Sequence, residues 1–293
     1  MGKTIASLAV GILALSGCGW FGSNNSSTSS SSSISSNSPY YHQIYLATSN
    51  DGFNWTVSSN VVFDHASVPG AVRWNGLVYL YFVDAEDPAN EKISVAVSTD
   101  NGRTFGAKQT CSISGSSSSH PVDPNPIVDE SGIRLTYMGN LGASLSDLKI
   151  VTALSSDGTT FTEEAVLVTG TGYVDPDLFY YGGQWNLFVH DDPNDQSLFF
   201  TSSSPTGTFT QVNTANFHGT ITSTVTFNNT AYTYYHHRNI NVGEFSSGAV
   251  TTINANIIDS SSITTAASVV ADPTVVVNSA SDFILYFKFQ EVQ

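Results

Sequence analysis

The sequence predicts an all-β fold, a five-bladed β-propeller with four antiparallel strands per blade. Three observations predict it. A strand–turn–strand pattern recurs five times at intervals near 50 residues, a second turn motif recurs out of phase with it, and no stretch has helical periodicity.

Taken from the N-terminus, the first segment reads as an address. Lys3 precedes the apolar run IASLAVGILAL, which is too short to span a bilayer and has the length of a signal-peptide core. Leu15-Ser16-Gly17-Cys18 resembles the lipobox of bacterial lipoproteins. The resemblance implies a signal peptide over residues 1–17, cleavage before Cys18 and a lipid on its sulfur. Gly19, with no Asp after the cysteine, implies outer-membrane sorting and a domain held outside the cytoplasm. Residues 18–39 contain SNNSSTSSSSSISSNS, too polar to offset the entropy of ordering, and read as a tether. The propeller is expected over 40–293, as a single domain and a monomer.

Composition excludes some functions. A net charge of −15 with only nine Lys plus Arg argues against nucleic-acid binding. With Cys18 committed to lipid, Cys111 has no partner, so no structural disulfide is expected.

The recurring pattern begins at SVPGAVRW (Ser67), VDPNPIVD (Val122), VDPDLFYY (Val174), TITSTVTF (Thr220) and ADPTVVV (Ala271). Aligning Pro69, Pro124, Pro176, Ser223 and Pro273 gives spacings of 55, 52, 47 and 50 residues. The out-of-phase motif includes Ser49-Asn50-Asp51-Gly52, Ser98-Thr99-Asp100-Asn101-Gly102 and Ser155-Ser156-Asp157-Gly158, each followed by an aromatic residue. It resembles the Asp-box turn of sialidase-like propellers. In such a turn Asp caps backbone N–H groups and Gly takes the φ > 0 position, so it marks a fold and carries no chemistry. In the third repeat the four strands read as 177–181, 184–190, 197–202 and 208–212. Only two strands fit after Ala271, and two unassigned strands precede Ser67. The N-terminal pair is therefore expected to complete the last blade and close the ring, leaving no open sheet edge.

This geometry sorts the polar residues by face. The starts of innermost strands, their lead-in loops and the loops between second and third strands all open on one face. On it fall Asp123, Asp175, Asp177 and Asp272, the lead-in residues His65, His120 and His218, and Asp84, Glu86, Asp87, His190, Asp191, Asp192, His236, His237 and Arg238. His42 alone among the histidines is expected elsewhere. Val68 and Thr222 are expected at the positions that match Asp123, Asp175 and Asp272. Three carboxylates converging on a channel should raise one another's pKa unless a cation or Arg238 intervenes. A cation such as Ca²⁺ between these carboxylates and histidines is a candidate cofactor. His236 and His237 are adjacent, so only one can face inward.

Five blades and the VDPDLFYYGGQWNLFV strand resemble glycoside hydrolase family 43 and its arabinanase, levansucrase and invertase relatives. That family places an Asp base, a tuning Asp and a Glu acid in the channel for inverting hydrolysis of carbohydrate. Carried over by position, Asp175 matches the tuning role. The base and acid positions hold Ser67-Val68-Pro69 and Ile221-Thr222-Ser223. Rotating the register offers Asp123 and Asp272 as further catalytic candidates, with His218 replacing the missing acid. His190, His120, Arg238, His236 and Asp177 are candidate substrate-binding residues. The leading expectation is a glycoside-hydrolase-like lipoprotein of the cell envelope; the alternative is a non-catalytic propeller that binds glycan or protein. A sialidase is disfavoured, because of the four arginines only Arg238 is placed for a substrate carboxylate.

Overall fold

The computed structural model describes residues 34–115, 120–140, 144–214, 219–263 and 267–291. Five sheets form five blades. Blade I comprises Ala66–Trp74, Leu77–Asp84, Lys92–Ser98 and Gln109–Thr110. Blade II comprises Val122–Asp129, Gly132–Gly139, Lys149–Ser155 and Thr160–Thr169. Blade III comprises Tyr173–Tyr181, Gln184–Asp191, Gln196–Ser202 and Thr210–Thr214. Blade IV runs Thr220–Phe227, Thr230–His237, Asn239–Ser246 and Ala249–Ile258. Blade V takes its two inner strands from Ala267–Ser279 and Asp282–Glu291 and its two outer strands from Gln43–Ser49 and Thr56–Asp64. Gln43–Ser49 pairs antiparallel with the last strand, from Gln43↔Phe289 to Ser49↔Phe283, so the two ends close the ring as expected. Blade II has one strand more than expected: Ser112–Ser114 pairs parallel with Thr160–Thr162 at its outer edge.

Alternating apolar residues on each strand give each blade two buried faces, and the core forms as five clusters, four between adjacent blades and one running through blades I to IV. Blades I and II meet over Tyr81, Tyr137 and Phe161, blades III and IV over Phe188, Phe199 and Phe245, and blades V and I over Phe82, Ile284 and Tyr286. At ~25 cal/mol per Å² of apolar area, such aromatic contacts dominate the stability of a chain whose described free cysteine, Cys111, makes no disulfide.

The Ser-x-Asp turns lie between the third and fourth strands. Ser98 Oγ donates to Asp100 Oδ1 at 2.6 Å and accepts from Gly102 N–H at 2.8 Å, while Asp100 Oδ1 accepts from Thr104 N–H at 2.9 Å. The glycines sit at φ of +81° to +87°, a region L side chains avoid. Each turn also latches onto the neighbouring blade, because a buried tyrosine donates to its glycine carbonyl. These pairs are Tyr81 to Gly158 at 2.7 Å, Tyr234 to Gly52 at 2.7 Å and Tyr286 to Gly102 at 2.6 Å.

Candidate functional site

Every innermost strand carries the same one-residue bulge at its channel end. Two of its residues oppose one on the second strand, shown by register shifts at Ser67/Gly70, Val122/Asn125, Val174/Asp177, Thr220/Thr222 and Ala271/Thr274. The first bulge residue is left-handed in all five blades: Val68 at φ 47°, Asp123 at 54°, Asp175 at 53°, Ile221 at 41° and Asp272 at 54°. Asp tolerates this region, whereas β-branched residues do so only under strain. Pro follows in four blades because the second bulge residue owes no N–H to the ladder.

The fourth-blade match is thereby corrected. Ile221, not Thr222, is the equivalent of the three aspartates, and Thr222 occupies the proline position. Without a proline to anchor the alignment, the sequence register slips by one residue.

Asp123, Asp175 and Asp272 are brought to equivalent points at the channel mouth and are 2%, 5% and 0% exposed. Val68, Val83, Val122, Met138, Val174 and Ile221 share one buried apolar cluster that runs through blades I to IV around them. Burial in this setting, reinforced by Asp272, pushes the Asp123 carboxyl up to about 7. Burial also raises Asp175 well above the carboxylate range, with Asp123 and then Asp272 adding to it. Both oxygens of Asp123 and Oδ2 of Asp175 have no hydrogen-bond partner among the described residues.

The cation that intervenes is Lys288, which was not among the expected site residues. Its Nζ lies 2.5 Å from Asp272 Oδ2. This ion pair opposes the burial that raises the Asp272 carboxyl. Lys288 stands opposite Ala271, the second-strand position held by Val83, Met138, His190 and His236 in the other blades. A lysine inside the otherwise apolar FILYFKF strand was the available signal.

The histidines divide sharply. His190 is buried with Nδ1 unpartnered among the described residues, and burial holds its pKa down. His236 is buried against Thr220 Oγ1 at 3.2 Å; burial first, then Lys288, lowers it to about 3. His237 is exposed, as strand alternation requires. His42, expected away from this face, instead reaches it: Nδ1 lies 2.9 Å from Ser67 Oγ, and burial with Lys288 nearby lowers it to about 3. His120 and Arg238 are exposed at the rim, Arg238 in a left-handed turn, so Arg238 is not the cation among the carboxylates. His218 and Cys18 lie outside the described residues.

Asp177 sits one step along its strand and is fully engaged. It accepts from Thr224 Oγ1 at 2.7 Å and from Asn125 Nδ2 at 3.2 Å, joining blades II, III and IV. Burial raises its pKa against these hydrogen bonds. Its counterparts do similar work: Asn125 accepts from Leu178 N–H at 2.9 Å, Ser223 from Val275 N–H at 3.2 Å and Thr274 from Ala71 N–H at 3.0 Å.

Among the described residues no three His, Cys, Asp or Glu side chains are grouped to hold a metal ion. Lys288 supplies positive charge beside the described channel carboxylates. An open depression of about 320 Å³ lies on the same face in blade I. Within it Lys108 bridges Asp84 at 2.9 Å and Glu86 at 2.8 Å.

No family model and no curated protein sequence matches the chain. Solved structures do match. The β-xylosidase RS223 superposes at TM-score 0.58 and 19% identity, covering 72% of this chain and 84% of that one. A family 43 α-L-arabinofuranosidase from Clostridium thermocellum gives 0.55 and 17%, covering 73% and 83%. A family 117 glycoside hydrolase from Zobellia galactanivorans gives 0.53 and 14%, covering 86% and 91%. What the chain shares with these glycoside hydrolases is the propeller fold. Identities this low carry the fold alone, so the chemistry of the channel rests on its own residues.

Proposed function

We propose that this protein is an exported, lipid-anchored propeller that engages carbohydrate at its channel face and does so as a binding module. The observation that carries this reading is the filling of the five equivalent bulge positions. Val68 and Ile221 hold two of them, and three aspartates at most 5% exposed hold the rest, one already paired with Lys288. Hydrolysis needs an acid and a base that both reach the glycosidic bond and a water between them. A channel mouth closed in this way favours recognition instead, with hydroxyls of a saccharide meeting the exposed rim residues, His120 and Arg238 among them. The similarity of the fold to carbohydrate-active propellers supports carbohydrate as the ligand class.

A second reading, hydrolysis, is favoured by one observation. The Asp123 carboxyl at about 7 is poised to give or take a proton at neutral pH. Asp175 in the neighbouring blade would tune it.

One experiment separates the two. A soluble form beginning at Ile34 is incubated with a panel of plant, algal and bacterial polysaccharides, beside Asp175→Asn. Retention on a polysaccharide without sugar release supports the binding module. Release by the unmodified protein that is lost in Asp175→Asn, with retention kept, establishes a hydrolase. Neither retention nor release from any member of the panel would remove the carbohydrate reading.

A further inference from the structure

The chain enters the propeller on the channel face. Gln290 Nε2 donates to Ser36 O at 2.6 Å. The Tyr40 ring stacks on His65 at 4.0 Å and 19°, and His65 Nδ1 lies 2.5 Å from Tyr40 O. His42 is held by Ser67, and its carbonyl accepts from Ala66 N–H at 3.1 Å. His65 leads into blade I, Ala66 and Ser67 open its first strand, and Gln290 is the last residue but one of the second strand of blade V. Residues 36–42 are thus pinned to the rim that surrounds the acids, and Ile34 leaves from that rim.

Positions 18 and 34 are 16 residues apart. Fully extended, that length reaches at most ~55 Å, and any flexible chain of that length has a mean span of ~20–24 Å. The opposite face stands about one strand length further away, ~27 Å for the eight residues of Val122–Asp129. A net charge of −15 disfavours adhesion to an anionic bilayer, so the tether sets a gap rather than a contact.

We infer that the channel face is turned toward the membrane that carries the anchor, and that its partner is the saccharide headgroup of a lipid in that membrane. The inference rests on the anchoring at Cys18 and the carbohydrate reading proposed above. It deepens them by naming where the glycan lies: within tether reach, on the bilayer side. A saccharide free in solution or on a facing surface would approach the wrong side of the ring.

The test uses the chain from Cys18 onward in a Cys111→Ser background, with Cys18 coupled to a maleimide lipid in vesicles. A click-reactive residue carries a donor fluorophore at His120, exposed on the channel face, or at Tyr180, exposed on the opposite hairpin. Energy transfer to an acceptor on lipid headgroups should be at least about twofold greater from 120 than from 180. Lengthening the tether with a long Gly/Ser insert should erase the difference. Adding lipopolysaccharide to the vesicles should protect position 120, and not 180, from an aqueous quencher. Equal transfer from both sites, or greater transfer from 180, overturns the orientation. Protection only by the detached polysaccharide in solution overturns the membrane-borne partner. Because the anchor is attached chemically, these outcomes do not depend on lipidation in the cell. The mass of Cys18-containing peptide from the natively exported protein tests that separately.

Discussion

Replacing Asp123 by Asn should stabilise the protein above neutral pH, the opposite of what most buried substitutions do. The carboxyl is raised from 3.8 to about 7 by burial first and by Asp272 second. A carboxyl raised in the folded state favours folding fully below its unfolded pKa, and that stability is lost as pH climbs through the folded value. The window is therefore from about pH 4 to above 7. Each tenfold change in the ionisation equilibrium corresponds to ~1.4 kcal/mol, so ionising Asp123 in place costs up to ~4 kcal/mol. Asn has the same shape and cannot ionise. At ~2–4 °C per kcal/mol for a domain of this size, even half of that stabilisation should raise Tm by ~5 °C at about pH 8.5. Near pH 4.5 the two proteins should melt within a degree or two of each other. Thermal unfolding of both proteins between these pH values is the assay. If Asp123→Asn lowers Tm equally at both ends, the carboxylate is not held against stability, and the reasoning from burial fails. If the slope appears, the residue is kept for a purpose other than folding, which is what a working site looks like.

Three further expectations follow from individual contacts. Lys288→Met should cost about 3–5 kcal/mol at neutral pH by leaving Asp272 buried and unpaired, and urea unfolding should show the loss recovered in Lys288→Met/Asp272→Asn. Asp177→Ala should lose the Thr224 and Asn125 hydrogen bonds that join three blades, at ~1–3 kcal/mol, without changing glycan retention if its role is to clasp blades. Tyr286→Phe should cost about 1–3 kcal/mol by stranding the Gly102 carbonyl, with hydrogen exchange rising first in the Ser98–Phe105 turn.

Much of the ring was legible because its devices are local. The five inner-strand starts and the Ser-x-Asp turns carry their geometry in short stretches, since a left-handed φ, a missing N–H or a capped turn restricts residue choice on the spot. Closure by the N-terminal strands followed from counting strands at the two ends. Asp123, Asp175 and Asp272 could be found because the proline after each marks the bulge. Ile221 was missed by one position where that proline is absent. Lys288 and His42 were missed for a different reason. Their neighbours at the channel mouth come from strands far away in sequence, so even a lysine set in the apolar FILYFKF strand does not name its buried partner.

By itself, then, the sequence determined the number of blades, the way the ring closes and the face on which the acids gather. Those follow from strand periodicity and from backbone requirements that each residue meets or fails alone. Only the tertiary structure decided the state of the acids. Exposure of at most 5%, an apolar cluster spanning four blades and one lysine set against three carboxyls depend on which strands are brought together around the channel. Desolvation and Coulomb energy are properties of that assembled environment, and no short stretch of chain contains it.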